Sequence, residues 1–401
     1  MPLESLHAET GKFIWHITHT YLGPPSIISW RCKIFRRCVR APFMKIFFIG
    51  SYKEKPTTGG HLYNMKMVEA LKQTGHYVKI ISVFQMPRLF RNKLFSFLYP
   101  LFLLVQNIPD LIIQISDSAA RYFLFSLIAR LLVIPAIQIV HHIEYPFIAS
   151  GLRQKLIPFF MKFNLKQARL IIVVSEYTKS QVLAIINPRI EKKIIIIRPM
   201  VDIKFLTKMK HNYQNKKQWN LLSIGIVTER KGYHYLLEAL GDLKEYSYTI
   251  SIVGAIQERE YYDSLLDLVK RLNLEGKVFI TSYLSSEELQ ALYLKSDVFV
   301  HPSLLEGYGI VLCEALCYGL PVVATRVGAI PEIVRHQYNG LLVEPRNPQA
   351  LKNALMMLMS KPALAERLSN NAISSCKHLV GWDRMQQNFL RLIKKIELRE
   401  I

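Results

Sequence analysis

The residues best placed to do chemistry lie between 301 and 332, HPSLLEGYGIVLCEALCYGLPVVATRVGAIPE. Glu306 and Glu314 stand eight positions apart. Glu306 sits in a turn with Gly307 and Gly309, and Glu314 inside the apolar helical run that follows. A carboxylate can bind hydroxyl groups, balance a neighbouring cation or exchange a proton. Apolar runs at 297–300 and 321–324 flank the pair, so the segment reads strand, glycine turn, helix, strand. In open α/β sheets ligands gather at the carboxyl ends of strands, where helix N-termini also point. Glu306 then falls at the mouth of a site, with Glu314 about two turns along the helix on a similar face. The plain alternative is a pair of surface charges on an ordinary helix.

A second group lies upstream, in SIGIVTERKGYHYLLEAL at 223–240. Gly225 follows a strand pattern, and Arg230, Lys231 and Gly232 stand where a helix begins. Two cations beside free helix amides make a place for a diphosphate. Gly254 follows the next strand. In the first half, Gly59 and Gly60 open a helix after the first strand, letting backbone approach a ligand closely or simply forming a tight turn. His141 and His142 end a strand at 136–140. Ser175, before Glu176, is a helix N-cap candidate as much as a ligand. His301 ends the strand before Glu306 and reads equally as a site residue or a hydrogen-bonded structural histidine.

Taken together, these motifs resemble the retaining glycosyltransferases of family four. Their signature of two glutamates separated by seven residues is written here Glu306-GYGIVLC-Glu314, flanked by HPS, EA…GLPVVAT and GAIPEIV. The resemblance spans about residues 44–400 and implies an α/β fold of the GT-B type: two Rossmann-like, doubly wound parallel-sheet domains facing a cleft. It implies transfer of a sugar from a nucleoside-diphosphate sugar to a hydroxyl of a saccharide or lipid-linked acceptor. By resemblance, Glu306, His141, Arg230 and Lys231 are the catalytic candidates. Donor contacts would come from Gly59, Gly60, Gly225, Arg230, Lys231, Gly254, Glu306, Gly307, Tyr308, Gly309, Ile310 and Glu314, the last on the ribose hydroxyls. Asp202 matches a family position, but the Asn-Gly that often precedes it is Pro199-Met200 here. Ala255 and Ile256 likewise stand where the family often has glycine or an acid. No Asp-x-Asp triplet occurs, so no metal or other cofactor is expected; Arg230 and Lys231 would supply the positive charge. Rival readings are a nucleotide-sugar epimerase of the same fold and a non-catalytic module that binds nucleotide or membrane.

The elements that must position these residues alternate. Strand patterns fall at 45–49, 77–83, 111–115, 136–140, 170–174 and 194–197, then at 221–224, 248–253, 277–280, 297–300 and 321–324. Helical patterns lie between them, notably at 61–73, 176–186, 231–240 and 285–295, which argues for parallel sheets. The expected organisation has an N-terminal extension at 1–43, either an appendage or read from upstream of the true start. An acceptor-binding domain follows at 44–207, a polar linker at 208–219 and a donor-binding domain at 220–381. A last helix at 382–401 returns to the first domain.

Half of the 401 residues are hydrophobic, enough for a packed core. Of the net charge of +22, residues 1–210 hold +20 and residues 211–401 hold +2. That asymmetry fits a solvated basic surface or peripheral contact with an anionic membrane; no nucleic-acid motif accompanies it. Leu152–Arg169, apolar and basic without acids, is the best membrane-surface helix, or else an ordinary amphipathic helix on the sheet. The apolar stretches 94–115 and 122–140 are too interrupted by polar residues and proline to span a bilayer. Five cysteines without paired CxxC clusters argue against a disulfide scaffold or zinc site and for a reducing cytoplasm. Cys313 and Cys317 read as small core residues. The expected setting is the bacterial cytoplasm, with contact at the inner face of the plasma membrane, in cell-surface polysaccharide, lipopolysaccharide or glycolipid synthesis.

Overall fold

The structure is a computed structural model that describes residues 43–82, 99, 103, 107–116, 123–143, 152–202 and 211–400. Residues 1–42 lie outside it, and with them nearly all of the expected extension.

Two parallel six-stranded sheets organise the chain. The first has the order β2-β1-β3-β4-β5-β6, from β1 (Lys45–Ile49), β2 (Tyr77–Ile81), β3 (Leu111–Ile115), β4 (Ala136–Val140), β5 (Leu170–Val173) and β6 (Ile194–Ile196). β3, β4 and β5 are buried at every position. Runs this rich in Ile, Leu and Val suit strands covered by helices on both faces, and the two polar residues inside them, Gln114 and Gln138, bond to each other at 3.1 Å. The covering helices are α1 (Gly59–Gln73), α2 (Phe123–Leu131), α3 (Leu152–Gln167) and α4 (Glu176–Ile185). α1 starts two residues before the periodic pattern because Thr58 caps it, accepting the His61 N–H. α3 is the apolar-basic segment singled out above. Its Met161 and Leu165 are buried, and Phe160 and Phe163 pack on Phe123 of α2, leaving Phe159 in solvent.

The second sheet has the order β12-β11-β10-β7-β8-β9. Its strands are β7 (Gln218–Ile224), β8 (Ser247–Val253), β9 (Val278–Thr281), β10 (Val298–His301), β11 (Val322–Thr325) and β12 (Gly340–Val343). The intervening helices are α5 (Tyr233–Gly241), α6 (Arg259–Arg271), α7 (Ser286–Lys295), α8 (Ile310–Cys317), α9 (Ile330–Ile333), α10 (Pro348–Ser360) and α11 (Pro362–Cys376). The order reverses between β7 and β10, which are paired neighbours. A crevice opens at such a point in a doubly wound sheet. The last helix, α12 (Trp382–Glu397), packs back on α1 of the first sheet, where the Gln386 side-chain amide donates to the Lys66 carbonyl at 2.7 Å.

Three expectations need correction. The polar stretch read as a linker ends in structure: β7 begins at Gln218, paired with Ser247. Tyr213 and Trp219 are both buried, and Lys216 pairs with Asp297 at 2.6 Å, so this stretch is packed against the second sheet. Residues 208–210 lie outside the described residues. The helix expected from residue 231 begins at Tyr233. Gly232, at φ +65°, separates it from a 3-10 turn at Glu229–Lys231; a side chain on Gly232 would strike the Pro302 carbonyl. Finally, Cys317 is buried as expected but forms a disulfide with Cys376. The pairing joins α8 to α11 across 59 residues, a proximity that only the packing of these helices creates.

Candidate functional site

β7 and β10 end at the reversal of the second sheet, and each delivers some members of one ionic cluster. After β7 the chain passes Gly225 and enters the turn bearing Arg230 and Lys231. Gly225 lies under the Lys231 stem: a Cβ there would stand 3.2 Å from Lys231 Cε. β10 ends at His301, and the loop to α8 carries Glu306. The Lys231 Nζ lies 2.6 Å from Glu306 Oε2, and His301 Nε2 lies 2.8 Å from the same oxygen. Arg230 turns its guanidinium onto the Leu305 carbonyl at 2.8 Å, holding the loop beside Glu306.

The electrostatics follow from this packing. Burial alone would raise the Glu306 carboxyl, but Lys231, His301 and Arg230 together hold it well below the usual carboxylate range. Burial and the nearby Lys231 lower His301, against the pull of Glu306, so its imidazole is neutral at pH 7. An ionised carboxylate only accepts. The proton on His301 therefore sits on Nε2 and is donated to Glu306. His301 is thus a hydrogen-bonded histidine whose partner is Glu306.

Glu314 occupies a different environment one helix away. Gly309, at φ +102°, starts α8, and Glu314 follows in its second turn. Its Oε2 accepts from the Tyr293 hydroxyl of α7 at 2.8 Å. Burial pushes the carboxyl up to about 7, with the Tyr293 bond pulling it partly back. Behind the two acids runs an aromatic column. Tyr318 stacks on Tyr293 at 4.6 Å between centroids, Tyr293 on Phe299 at 6.2 Å, and Phe299 on His301 at 6.2 Å. Tyr308 is buried, and burial also raises the neighbouring Cys313 thiol to about 12, so this wall of α8 is apolar and uncharged.

The first sheet meets this cluster through small residues. Gly307 approaches the His141 carbonyl so closely that a Cβ would lie 2.2 Å from it. A Cβ on Gly59 would stand 3.1 Å from Ile310 Cδ1, and one on Gly60 3.7 Å from the His141 ring. Asn64 donates through Nδ2 to the Ser51 carbonyl at 2.8 Å, so its Oδ1 accepts from His141 Nε2–H at 2.9 Å. Burial, with His142 and His61 adding to it, lowers His141 to about 3 and keeps it neutral. Ser175 caps α4 and donates to the Gly307 carbonyl at 2.8 Å; both of these hydrogen bonds serve backbone. Gly254 lies against the Gly225 carbonyl, where a Cβ would be only 2.0 Å away, so it fixes the spacing of the turns after β7 and β8. Asp202 follows Val201, which forms an isolated parallel bridge with Val380.

His141, Gly59, Gly60, Gly225, Arg230, Lys231 and Glu306 to Ile310 thus gather along one seam at the carboxyl ends of both sheets, while Glu314 lies further along α8 against Tyr293. Sequence reasoning missed Tyr293 and Asn64, whose only signal is their reach to Glu314 and His141 across the fold.

A pair of doubly wound parallel sheets meeting at a seam of cations and carboxylates places the chain among two-domain α/β proteins. Family comparisons agree in class. The family model described as Glycosyl transferases group 1 matches residues 205–375, and that described as Glycosyltransferase Family 4 matches residues 57–205. The two matches are consecutive and together cover most of the chain, which belongs to this glycosyltransferase family. An uncharacterized glycosyltransferase of Methanocaldococcus jannaschii is 30% identical over 233 residues, 56% of this chain. The O-antigen chain mannosyltransferase B of Escherichia coli is 26% identical over 228 residues, 55% of this chain. The matched region spans 59% of the length of each of these two relatives. In fold, the chain is similar to the crystal structure of HepE from Anabaena in complex with UDP and glucose. That match has a TM-score of 0.69 at 20% identity, over 88% of this chain and 99% of that one. The GT-B architecture is therefore shared.

Proposed function

We propose that this protein transfers a sugar from a nucleoside-diphosphate sugar to an acceptor hydroxyl, with retention at the anomeric carbon and without a metal ion. The observation that carries the reading is the Lys231–Glu306–His301 cluster at the reversal point of the second sheet, facing His141 across the seam. Arg230 and Lys231 would take the diphosphate. When it arrives, Lys231 exchanges its bond to Glu306 for the phosphate oxygens, offsetting the negative charge that grows as the nucleotide leaves. Such fixed charge in a partly dry cleft contributes several kcal/mol to a barrier, on the order of 3 to 4 for one well-placed donor. Glu306, ionised and aligned by His301, is freed to bind hydroxyls of the transferred sugar. Glu314 would hold the ribose diol, and neutral His141 would meet the sugar from the first domain. The acceptor oxygen then attacks on the face that the nucleotide vacates.

UDP and glucose bound to HepE, and the named activity of the O-antigen mannosyltransferase, support a nucleotide-sugar donor and a polysaccharide, lipopolysaccharide or glycolipid acceptor. The charge asymmetry and the exposed Leu131, Val133 and Phe159 of the basic first half support peripheral contact with an anionic bilayer. Among the described residues no helix is long and apolar enough to cross a membrane.

The test is product analysis with UDP-, GDP- and ADP-sugars and a saccharide acceptor panel, resolved by NMR at the new anomeric centre. Retained configuration, with turnover that survives EDTA, supports the reading. Inversion, isomerised donor without transfer, or magnesium-reversible loss would each overturn a component of it. Co-sedimentation with anionic vesicles that fades at high salt would support the membrane contact.

A further inference from the structure

The motif GAIPE at 328–332 plays no role in the chemistry above, yet it grips both halves of the molecule. At its start, Gly328 lies on the Glu306 carbonyl, where a Cβ would be 2.0 Å away, and the Ala329 N–H donates to that carbonyl at 3.0 Å. At its end, on α9, the Glu332 carboxylate reaches the first domain. It accepts from the Tyr177 N–H at 2.8 Å and the Glu176 N–H at 3.1 Å, the first amides of α4. Arg198, also in the first domain, places Nη2 3.4 Å from Glu332 and 3.6 Å from Glu176. An anion at a helix start meets both free amides and the positive end of the dipole. Within the same turn of α4, Ser175 donates to the Gly307 carbonyl, and Thr178 Oγ1 donates to the His141 carbonyl at 3.3 Å.

The start of α4 therefore grips the second domain at two points, Gly307 and Glu332, and these bracket Glu306 from either side. We infer that Glu332, with Arg198, is a latch that holds the cleft closed and sets Glu306 in register with His141 only in the closed form. Glu332 touches neither donor nor acceptor; it is a positioning residue that acts through the backbone of Glu306. Opening the cleft to admit ligands must strip the carboxylate from α4 and return it to water, so each turnover would release and remake this contact.

This inference rests on the proposed transfer activity for its kinetic test and on shape alone for its structural one. Glu332→Gln keeps the size of the side chain and removes its charge. The expected result is a kcat lower by about ten-fold, the scale of losing a hydrogen bond to a charged group. UDP affinity should stay within about two-fold, because Arg230, Lys231 and Glu314, the residues proposed to take the diphosphate and ribose, belong to the second domain, and solution scattering should give a larger radius of gyration. Arg198→Gln should move both readouts the same way by less. Wild-type kcat and radius in Glu332→Gln would overturn the latch. So would parallel losses of kcat and UDP affinity, which would make Glu332 a support of the loop. Absence of turnover in the wild-type protein with every donor would sink the proposed function, and the scattering comparison of wild type with both variants would still decide the latch.

Discussion

Glu306 and Glu314 are separated by one turn and a short run of helix, and their surroundings push them in opposite directions. Glu306 sits between an ammonium and an imidazole N–H on one of its oxygens and is held ionised at any working pH. Among the described residues Glu314 accepts from a phenol alone, and burial brings its carboxyl to about 7. Burial acts on both, so burial does not distinguish them; the count of nearby positive groups does. One sequence motif thus yields a permanent anion and a carboxyl that changes state near neutrality. Environments that drive neighbouring carboxyls apart in this way commonly divide their tasks as well.

The comparison breaks first at Glu306. Glu306→Gln should lower kcat by roughly 10²- to 10³-fold, the scale of losing one preorganised electrostatic contact. A kcat within a few-fold of wild type would leave Glu306 as a structural counter-ion. Lys231→Met tests the cause of the difference by removing the ammonium beside Glu306 while leaving His301 and Arg230 in place. Breaking a buried pair from one side costs about 3 kcal/mol, and this loss should appear in urea melts at neutral pH. It should shrink toward pH 4, because the raised carboxyl of the variant is then protonated and no longer carries an unpaired charge. A loss independent of pH would trace the effect to packing. Glu314→Gln gives the smallest change, and its sign is opposite. A carboxyl raised above its unfolded value costs nothing below about 4.5, costs progressively more as the pH rises toward about 7, and costs its full amount above that. The variant should therefore gain stability over wild type at pH 8 and nothing at pH 4.5. An equal effect at both pH values would show that Glu314 titrates normally.

The alternation of strands and helices was legible because β3, β4, β10 and β11 are buried at every position and so are mostly apolar, even with Gln114 and Gln138 inside β3 and β4. β7 was read three residues short because Gln218, Trp219 and Asn220 are polar or bulky at a strand end. Their pairing with β8 and the burial of Trp219 extend the strand where local composition does not. Glu306, Glu314, Arg230 and Lys231 were legible because residue type and spacing along a strand–turn–helix unit already place them. Their partners were not. Tyr293 lies 21 residues before Glu314 and Glu332 lies 155 residues after Tyr177, with only sheet order and domain closure to bring them together. Cys317 and Cys376 escaped for the same reason.

α12 has a consequence for how the chain is made. Trp382, Met385, Phe389, Ile393 and Ile396 are buried, and the helix packs on α1, an element formed from the first quarter of the sequence. During synthesis at about 5–20 residues per second, the surface of α1 that receives α12 emerges many seconds before the residues that cover it. The first sheet can form early, but that apolar face waits on the ribosome, open to chaperones, until residues 382–397 arrive. A chain cut near residue 380 would therefore show its damage in the domain farthest from the cut: amides of α1 would lose protection from hydrogen exchange, while those of β7 and β8 would keep it.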